Sequence, residues 1–280
     1  MKPVVIVPCW QRPAFLAAAL RLIERARQAD RAHYMFAVDR GADSAIPDVL
    51  ASFKFSDYSV VTRKHKYSGN SFNVLEAYKD ASERLGPEDL IYLIEEDIFI
   101  AEDFFEFHVD AHSVDPAAFF VSACRGQRKI SPSLTESPQL IYRSSHYQSL
   151  GVSMKARSVS RFVKHARSSY YKDMVAYCAK KLADDQLPSW AAEQDGVIHR
   201  VVRKLGSYGL FPVVPRAYHA GFSGYNRGGE SGAVDHRRWR DESSRLLSMT
   251  TEQMNQLAKP EYRDIERCDL LRTRVSLRVI

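Results

Sequence analysis

Five apolar residues in a row, Leu90-Ile91-Tyr92-Leu93-Ile94, stop abruptly at three acids, Glu95-Glu96-Asp97. A strand points successive side chains to opposite faces, so a run that is apolar throughout must be covered on both sides. Helices above and below it satisfy that demand, which makes this segment the central strand of a parallel sheet. The first half of the chain supplies its neighbours. Val4 to Val7 is a β-branched run, followed by the loop Pro8-Cys9-Trp10-Gln11-Arg12 and a helix that Pro13 opens, with Leu16, Leu20 and Ile23 on one face. Tyr34 to Val38 and Tyr58 to Val61 read as further strands, each followed by a polar turn and a helical pattern. Ala118 to Ser122 reads as another strand, and Leu210 to Val214 as the last. The expected fold class is α/β, a doubly wound, mainly parallel sheet flanked by helices.

Composition agrees with a folded enzyme-sized chain. The 280 residues are 45% hydrophobic and 26% charged, with no run of 18 apolar residues. The N-terminus has no signal-peptide core, so the expected compartment is cytoplasmic. Cys9, Cys124, Cys178 and Cys268 form no Cys-x-x-Cys pair and are read as free thiols. A net charge of +6 suggests a polyanionic neighbour, and its distribution is more informative than its sum. Between Glu83 and Asp110 stand ten acids and one base, Arg84; between Gln139 and Lys172 stand seven Lys or Arg and no acid. An acidic heart beside a basic flank suits a cation-assisted enzyme for an anionic substrate, although solvated helix faces give the same pattern.

Ligands of open parallel sheets bind beyond the carboxyl ends of the strands, and the chemistry-bearing residues of this chain fall there. Glu95-Glu96-Asp97 is the strongest signal, because three adjacent carboxylates raise one another's pKa unless something neutralises them. A Mg²⁺ or Mn²⁺ ion shared with a diphosphate would do so; an acidic turn ahead of a helix at Glu102-Asp103 is the plainer alternative. Asp39 at a strand tip suits a base or ribose edge, and Arg12 a base or phosphate. Ser68-Gly69-Asn70-Ser71-Phe72-Asn73 permits close backbone approach at a helix start, or is an ordinary cap. His219-Ala220-Gly221-Phe222-Ser223-Gly224 offers an imidazole, a hydroxyl and backbone N–H groups that suit a metal site and a phosphate, or is a glycine-rich surface loop. Glu193-Gln194-Asp195 opens an amphipathic helix, where the acids either cap or act as a general base.

In order, these residues resemble the glycosyltransferase-A fold, and more narrowly the N-acetylglucosaminyltransferase I and protein O-mannose β-1,2-N-acetylglucosaminyltransferase family. Leu93 to Glu106 is similar to that family's Glu-Asp-Asp segment and the Pro-Asp-Phe-Phe-Glu stretch after it. Phe120-Val121-Ser122-Ala123 resembles its Val-Ser-Ala strand, and Gln139-Leu140-Ile141-Tyr142-Arg143 with Leu150-Gly151 its Leu-Leu-Tyr-Arg to Leu-Gly segment. The likeness spans roughly residues 3 to 225 and is specific over 90 to 151. The sequence departs from it in four ways. Glu96 replaces the middle Asp, Gln194 stands where the family has Trp, His219 is extra, and no membrane anchor precedes the domain.

The resemblance implies a glycosyltransferase-A-like, Rossmann-like mixed sheet and a metal-dependent inverting transferase. Its donor would be a UDP-sugar, with N-acetylglucosamine the sugar suggested, and its acceptor a hydroxyl of a glycan or glycolipid. By that implication Arg12, Asp39 and Asn70 contact the nucleotide; Glu95 contacts the donor sugar, and Glu96, Leu150 and Gly151 join the nucleotide-sugar site. Phe222 and Ser223 line the diphosphate side. Asp97 binds Mn²⁺ or Mg²⁺, His219 is a second candidate ligand, and Asp195 is the catalytic base. The expected organisation is a nucleotide-sugar part at 1–123, an acceptor-side part at 124–232 and a helical basic tail at 233–280. The basic flank and tail suggest peripheral contact with the inner face of a membrane, and no nucleic-acid partner is expected. A sugar-nucleotide pyrophosphorylase is disfavoured because Pro8 to Arg12 replaces the glycine-rich loop it needs. A non-enzymatic basic glycan- or nucleic-acid-binding module stays open, although it has no use for an acidic strand tip.

Overall fold

The computed structural model describes residues 1–64, 67, 69–124, 137–183, 192–220 and 277–279. The first half is a run of β-α units. Strand β1 (Val4–Cys9) is buried along its whole length, and helix α1 (Pro13–Arg25) packs back on it through Phe15, Leu16, Leu20 and Ile23, with Pro13 in its first turn. Then come β2 (His33–Val38), the short α2 (Ile46–Ala51), β3 (Tyr58–Thr62), α3 (Asn70–Ser82) and β4 (Leu90–Leu93). After the acidic triplet a short strand β5 (Ile98–Ile100) precedes α4 (Phe104–Val114) and β6 (Phe120–Ser122). The second half contains β7 (Leu140–Ser144), β8 (Val152–Lys155), the helices α5 (Ala156–Val163), α6 (Ser168–Lys172), α7 (Met174–Lys181) and α8 (Gln194–Lys204), then β9 (Gly209–Pro212), β10 (Ala217–His219) and β11 (Arg278–Val279).

Nine strands form one sheet in the order β11-β7-β9-β6-β8-β4-β1-β2-β3. The four on the β3 side run parallel, as the apolar run of β4 requires. Strand β8 is antiparallel to both β4 and β6, β9 is parallel to β6, and β7 is antiparallel to β9. The sheet is therefore mixed rather than wholly parallel, and it runs unbroken across residue 123. Reversal of β8 has a consequence for the site. Its first residue, Val152, pairs with Leu93 at the end of β4, so the segment just before β8 lies at the same rim as the carboxyl ends of β1, β2 and β4.

Apolar clusters cover both faces. One joins α1, α4 and β5 to the sheet; the other joins α3, α5 and α8 to it, with Leu93 on one side and Tyr92 on the other. Gly209 shows how tightly β9 and β6 meet: a Cβ there would lie 2.2 Å from the Phe120 ring.

Several sequence expectations need correction. Strand β1 extends through Pro8 and Cys9, which were read as loop, because both still pair with β2. Strands β5 and β10 were missed: three residues each, they are held as a separate two-stranded ribbon by pairing that no local periodicity announces. His219 consequently ends a strand instead of opening a glycine-rich loop. The tail was expected to be helical, yet Arg278 and Val279 add a strand beside β7, where a free edge offers backbone partners. Residues 233–276 lie outside the described residues. Cys9, Cys124 and Cys178 are buried free thiols, and Cys268 is not among the described residues.

Candidate active site

Three consecutive acids leave β4 in three directions, and each finds its own compensation. Glu96 turns back to the corner between β1 and α1. There the Trp10 N–H donates to its Oε2 at 3.1 Å and Arg12 Nε approaches its Oε1 at 3.8 Å. Burial pushes this carboxyl up to about 7 in spite of Arg12. Asp97 meets Arg12 Nη1 and His219 Nε2 on the same oxygen, Oδ2, the latter at 3.1 Å. Burial alone would raise Asp97; the hydrogen bond from His219 and the charge of Arg12 outweigh it and hold the carboxyl at about 2. The β5–β10 ribbon makes that meeting possible, since it pairs Ile98 with His219, and the Ala220 N–H donates to the Asp97 carbonyl at 2.8 Å.

Glu95 faces the other way, toward α8. Burial, then the nearby Asp97 and Asp195, push its carboxyl well above the usual range, and its Oε1 is buried with no partner. Asp195, in the first turn of α8, accepts a hydrogen bond from Ser149 Oγ at 3.2 Å, and its Oδ1 is likewise buried and unpartnered. Burial, assisted by Glu193, raises Asp195 to about 6 against the favourable Ser149 bond. Of the two acids, Glu95 is the more strongly disfavoured as an anion, because burial and two acidic neighbours act on it together.

Repulsion within the triplet is thus relieved in part by Arg12, His219 and a backbone amide, while burial and its acidic neighbours disfavour the charged form of Glu95. Among the described residues no group of three or more metal-ligating side chains stands together. Asp97 and His219 nevertheless present an oxygen and an imidazole nitrogen 3.1 Å apart, which fits an ion whose remaining ligands are diphosphate oxygens and water.

The other candidates are distributed as follows. Asp39, just after β2, accepts the Arg40 N–H on Oδ1 at 2.7 Å and the Gly69 N–H on Oδ2 at 2.8 Å, bracing two loops of the rim. Gly69 has φ +99°, a conformation that favours glycine, and it precedes Asn70, which is exposed at the start of α3. Asn73 turns inward and donates to the Ala37 carbonyl at 2.7 Å, so only Asn70 of this pair faces the rim. Leu150 is half-buried against the core, and Gly151 is buried at φ +61° with a would-be Cβ 3.1 Å from Ala217. Both precede β8 at the rim. Gln194 is fixed by exchange with Ser71, whose Oγ donates to its Oε1 at 2.9 Å and accepts from its amide at 3.1 Å. Glu193 flanks α8 without a side-chain cap bond. Phe222 and Ser223 lie outside the described residues. Sequence reasoning passed over Ser149, whose only signal is its place two residues before a glycine that ends a turn.

No protein-family model matches the chain, and no curated protein does. Among solved structures, S. aureus TarS residues 1–349 is 10% identical over 98% of this chain and 73% of that one, with a TM-score of 0.51. Galactosyltransferase LgtC with donor and acceptor sugar analogs gives 10% identity, 90% and 99% coverage and a TM-score of 0.41. Mannosyltransferase PcManGT of Pyrobaculum calidifontis, with GDP-Man and Mn²⁺, gives 11%, 96% and 86% coverage and 0.44. The fold is that of the glycosyltransferase-A type, a mixed, mainly parallel α/β sheet with flanking helices.

Proposed function

We propose that the chain is a glycosyltransferase that moves a sugar from a nucleoside-diphosphate donor, UDP-N-acetylglucosamine being the first to test, to an acceptor hydroxyl with inversion. The observation that carries this reading is the pairing of two differently charged acid centres at one sheet rim. Asp97 is held anionic between Arg12 and His219, and Asp195 is raised to about 6 with one oxygen unpartnered. A carboxyl near 6 is mostly ionised at neutral pH yet basic enough to take a proton in a transition state. Asp195 removes the acceptor proton as the acceptor oxygen bonds the anomeric carbon and the bond from that carbon to the diphosphate oxygen breaks. Arg12 would meet the charge that develops on the departing diphosphate. Asp97 and His219 would hold Mn²⁺ or Mg²⁺, which when bound adds Lewis-acid stabilisation of that same leaving group. Glu95, disfavoured as an anion and unpartnered at Oε1, suits a sugar hydroxyl. Asp39, Asn70 and Arg12 frame the nucleotide side, with Phe222 and Ser223 proposed for the diphosphate.

The acceptor is proposed to be a glycan or lipid-linked glycan presented at an anionic surface. Exposed Arg161, Lys164, Arg167, Lys172, Lys180 and Lys181 on and beside α5, α6 and α7 support this.

Calorimetric titration of UDP with and without Mn²⁺ tests the donor reading. Wild type is expected to bind UDP more tightly with the ion, and Asp97→Ala to lose that dependence. UDP affinity indifferent to Mn²⁺ would transfer the whole charge-neutralising role to Arg12. Failure to bind any nucleotide in either condition would leave a binding module as the better reading.

A further inference from the structure

The irregular segment between β7 and β8 meets α8 at two points. The Tyr147 N–H donates to His199 Nδ1 at 3.3 Å, and Ser149 Oγ donates to Asp195 Oδ2 at 3.2 Å. Residues 195 and 199 are four apart on a helix, so they share a face and lie about 6 Å apart along its axis. Residues 147 and 149 are two apart, and two residues of chain span at most about 7 Å. The two spacings match, so one short segment, running opposite to α8, clamps it at both points.

The clamp is anchored at its far end. Gly151 adopts φ +61°, and a side chain there would press on Ala217, Phe104 and Ala123 at 3.1 to 3.3 Å. Its carbonyl accepts the Ala123 N–H at 2.8 Å. Ser149 itself is only 5% exposed, so its hydroxyl has little access to water as an alternative partner.

We propose that Ser149 is a positioning residue for the base: it fixes Oδ2 of Asp195 and leaves Oδ1, buried and unpartnered, as the oxygen that takes the acceptor's proton. This rests on the reading of Asp195 as the base. The groups that face Asp195 are Glu95 from the strand tip, Glu193 from its own helix, and the phenols of Tyr78 on α3 and Tyr147 on the clamp. Glu193 disfavours the Asp195 anion and Ser149 favours it. Donation to a carboxylate stabilises its charged form, so removing the hydroxyl makes Asp195 harder to ionise.

The test uses the full chain with ¹³Cγ-labelled aspartate. The Asp195 titration is followed by NMR, alongside the pH profile of UDP-N-acetylglucosamine turnover. In Ser149→Ala the midpoint is expected to move up, the proton concentration at half-titration falling about threefold or more. The acidic limb of kcat/KM should move by the same factor, UDP affinity should stay within about twofold, and Ser149→Thr should restore the wild-type midpoint. Ser149→Cys keeps the size and weakens the donor, so it carries the same test if the alanine variant does not fold. A midpoint unchanged from wild type in these donor-deficient variants overturns the proposal. Transfer that survives Asp195→Asn overturns the base reading instead, and it leaves the NMR result on Ser149 standing.

Discussion

At the scale of single residues the site is a set of carboxyls whose environments separate their charge states. Asp97 and Glu95 are two positions apart, yet one is pulled down to about 2 and the other pushed well up, because one faces Arg12 and His219 and the other faces Asp195 in a buried corner. Asp195, raised from 3.8 to about 6, carries a stability cost with a definite pH window. Between those values the folded state binds more protons than the unfolded one, so stability falls as pH rises through the window, and the full cost is present above about 6. Asp195→Asn removes it. That variant is expected to be more stable than wild type at pH 7.5 by about 2–3 kcal/mol, with the difference gone below about pH 4. Urea unfolding at both pH values checks this; an unchanged midpoint at pH 7.5 would show that the carboxyl is better solvated than its surroundings imply. The sequence announced the acids but not their directions. Identity of side chains is local information, whereas which way Glu96 and Asp97 point depends on Trp10 and His219, 86 and 122 positions away in sequence.

Among the elements, α4 and β8 are joined by a buried chain of polar groups. His112 Nε2 lies 3.0 Å from Ser153 Oγ, which lies 2.7 Å from His108 Nδ1. Burial keeps both rings neutral, His112 down to about 3 and His108 well below its usual value. Here the unfolded state binds more protons below about pH 6.5, so stability falls as the pH drops, opposite in sign to Asp195. Replacing the titrating ring in His112→Phe should reduce the loss of stability between pH 7 and pH 5 by about 2 kcal/mol, measured by urea unfolding at the two pH values. If the variant loses as much stability as wild type over that interval, His112 is charged in the fold. Elements with strong periodic or continuous apolar patterns were legible from sequence: α1, β1, β2, β4 and α8 stand where the pattern put them, within a residue or two. Three-residue β5 and β10 were not, because each is defined by pairing with the other and not by its own composition.

At the scale of the molecule, the acidic and basic stretches of the sequence meet in part: Lys155 and Arg157 pair with Glu88. Of the acids in the acidic stretch only Glu95, Glu96 and Asp97 stand at the sheet rim, while Arg161, Lys164, Lys172, Lys180 and Lys181, on and beside α5, α6 and α7, are exposed. No helix among the described residues is long and apolar enough to cross a membrane. Attraction to an anionic surface is worth about 1 kcal/mol per cation at most. Cosedimentation with vesicles of about one-third anionic lipid should therefore fall steeply between 50 and 300 mM salt. It should also drop at least about tenfold in Arg161→Glu/Lys164→Glu/Lys181→Glu. Binding that ignores both salt and lipid charge would remove the membrane from the proposed function.

What the sequence determined by itself was the parallel side of the sheet and its rim. A strand apolar on both faces needs two covering layers, and polar residues that follow such strands must collect at one edge. Only the folded chain decided what that rim can do. The reversed β8 delivers Ser149 to Asp195, and the β5–β10 ribbon delivers His219 to Asp97. Contacts across such distances depend on strand order and register, which no local pattern encodes.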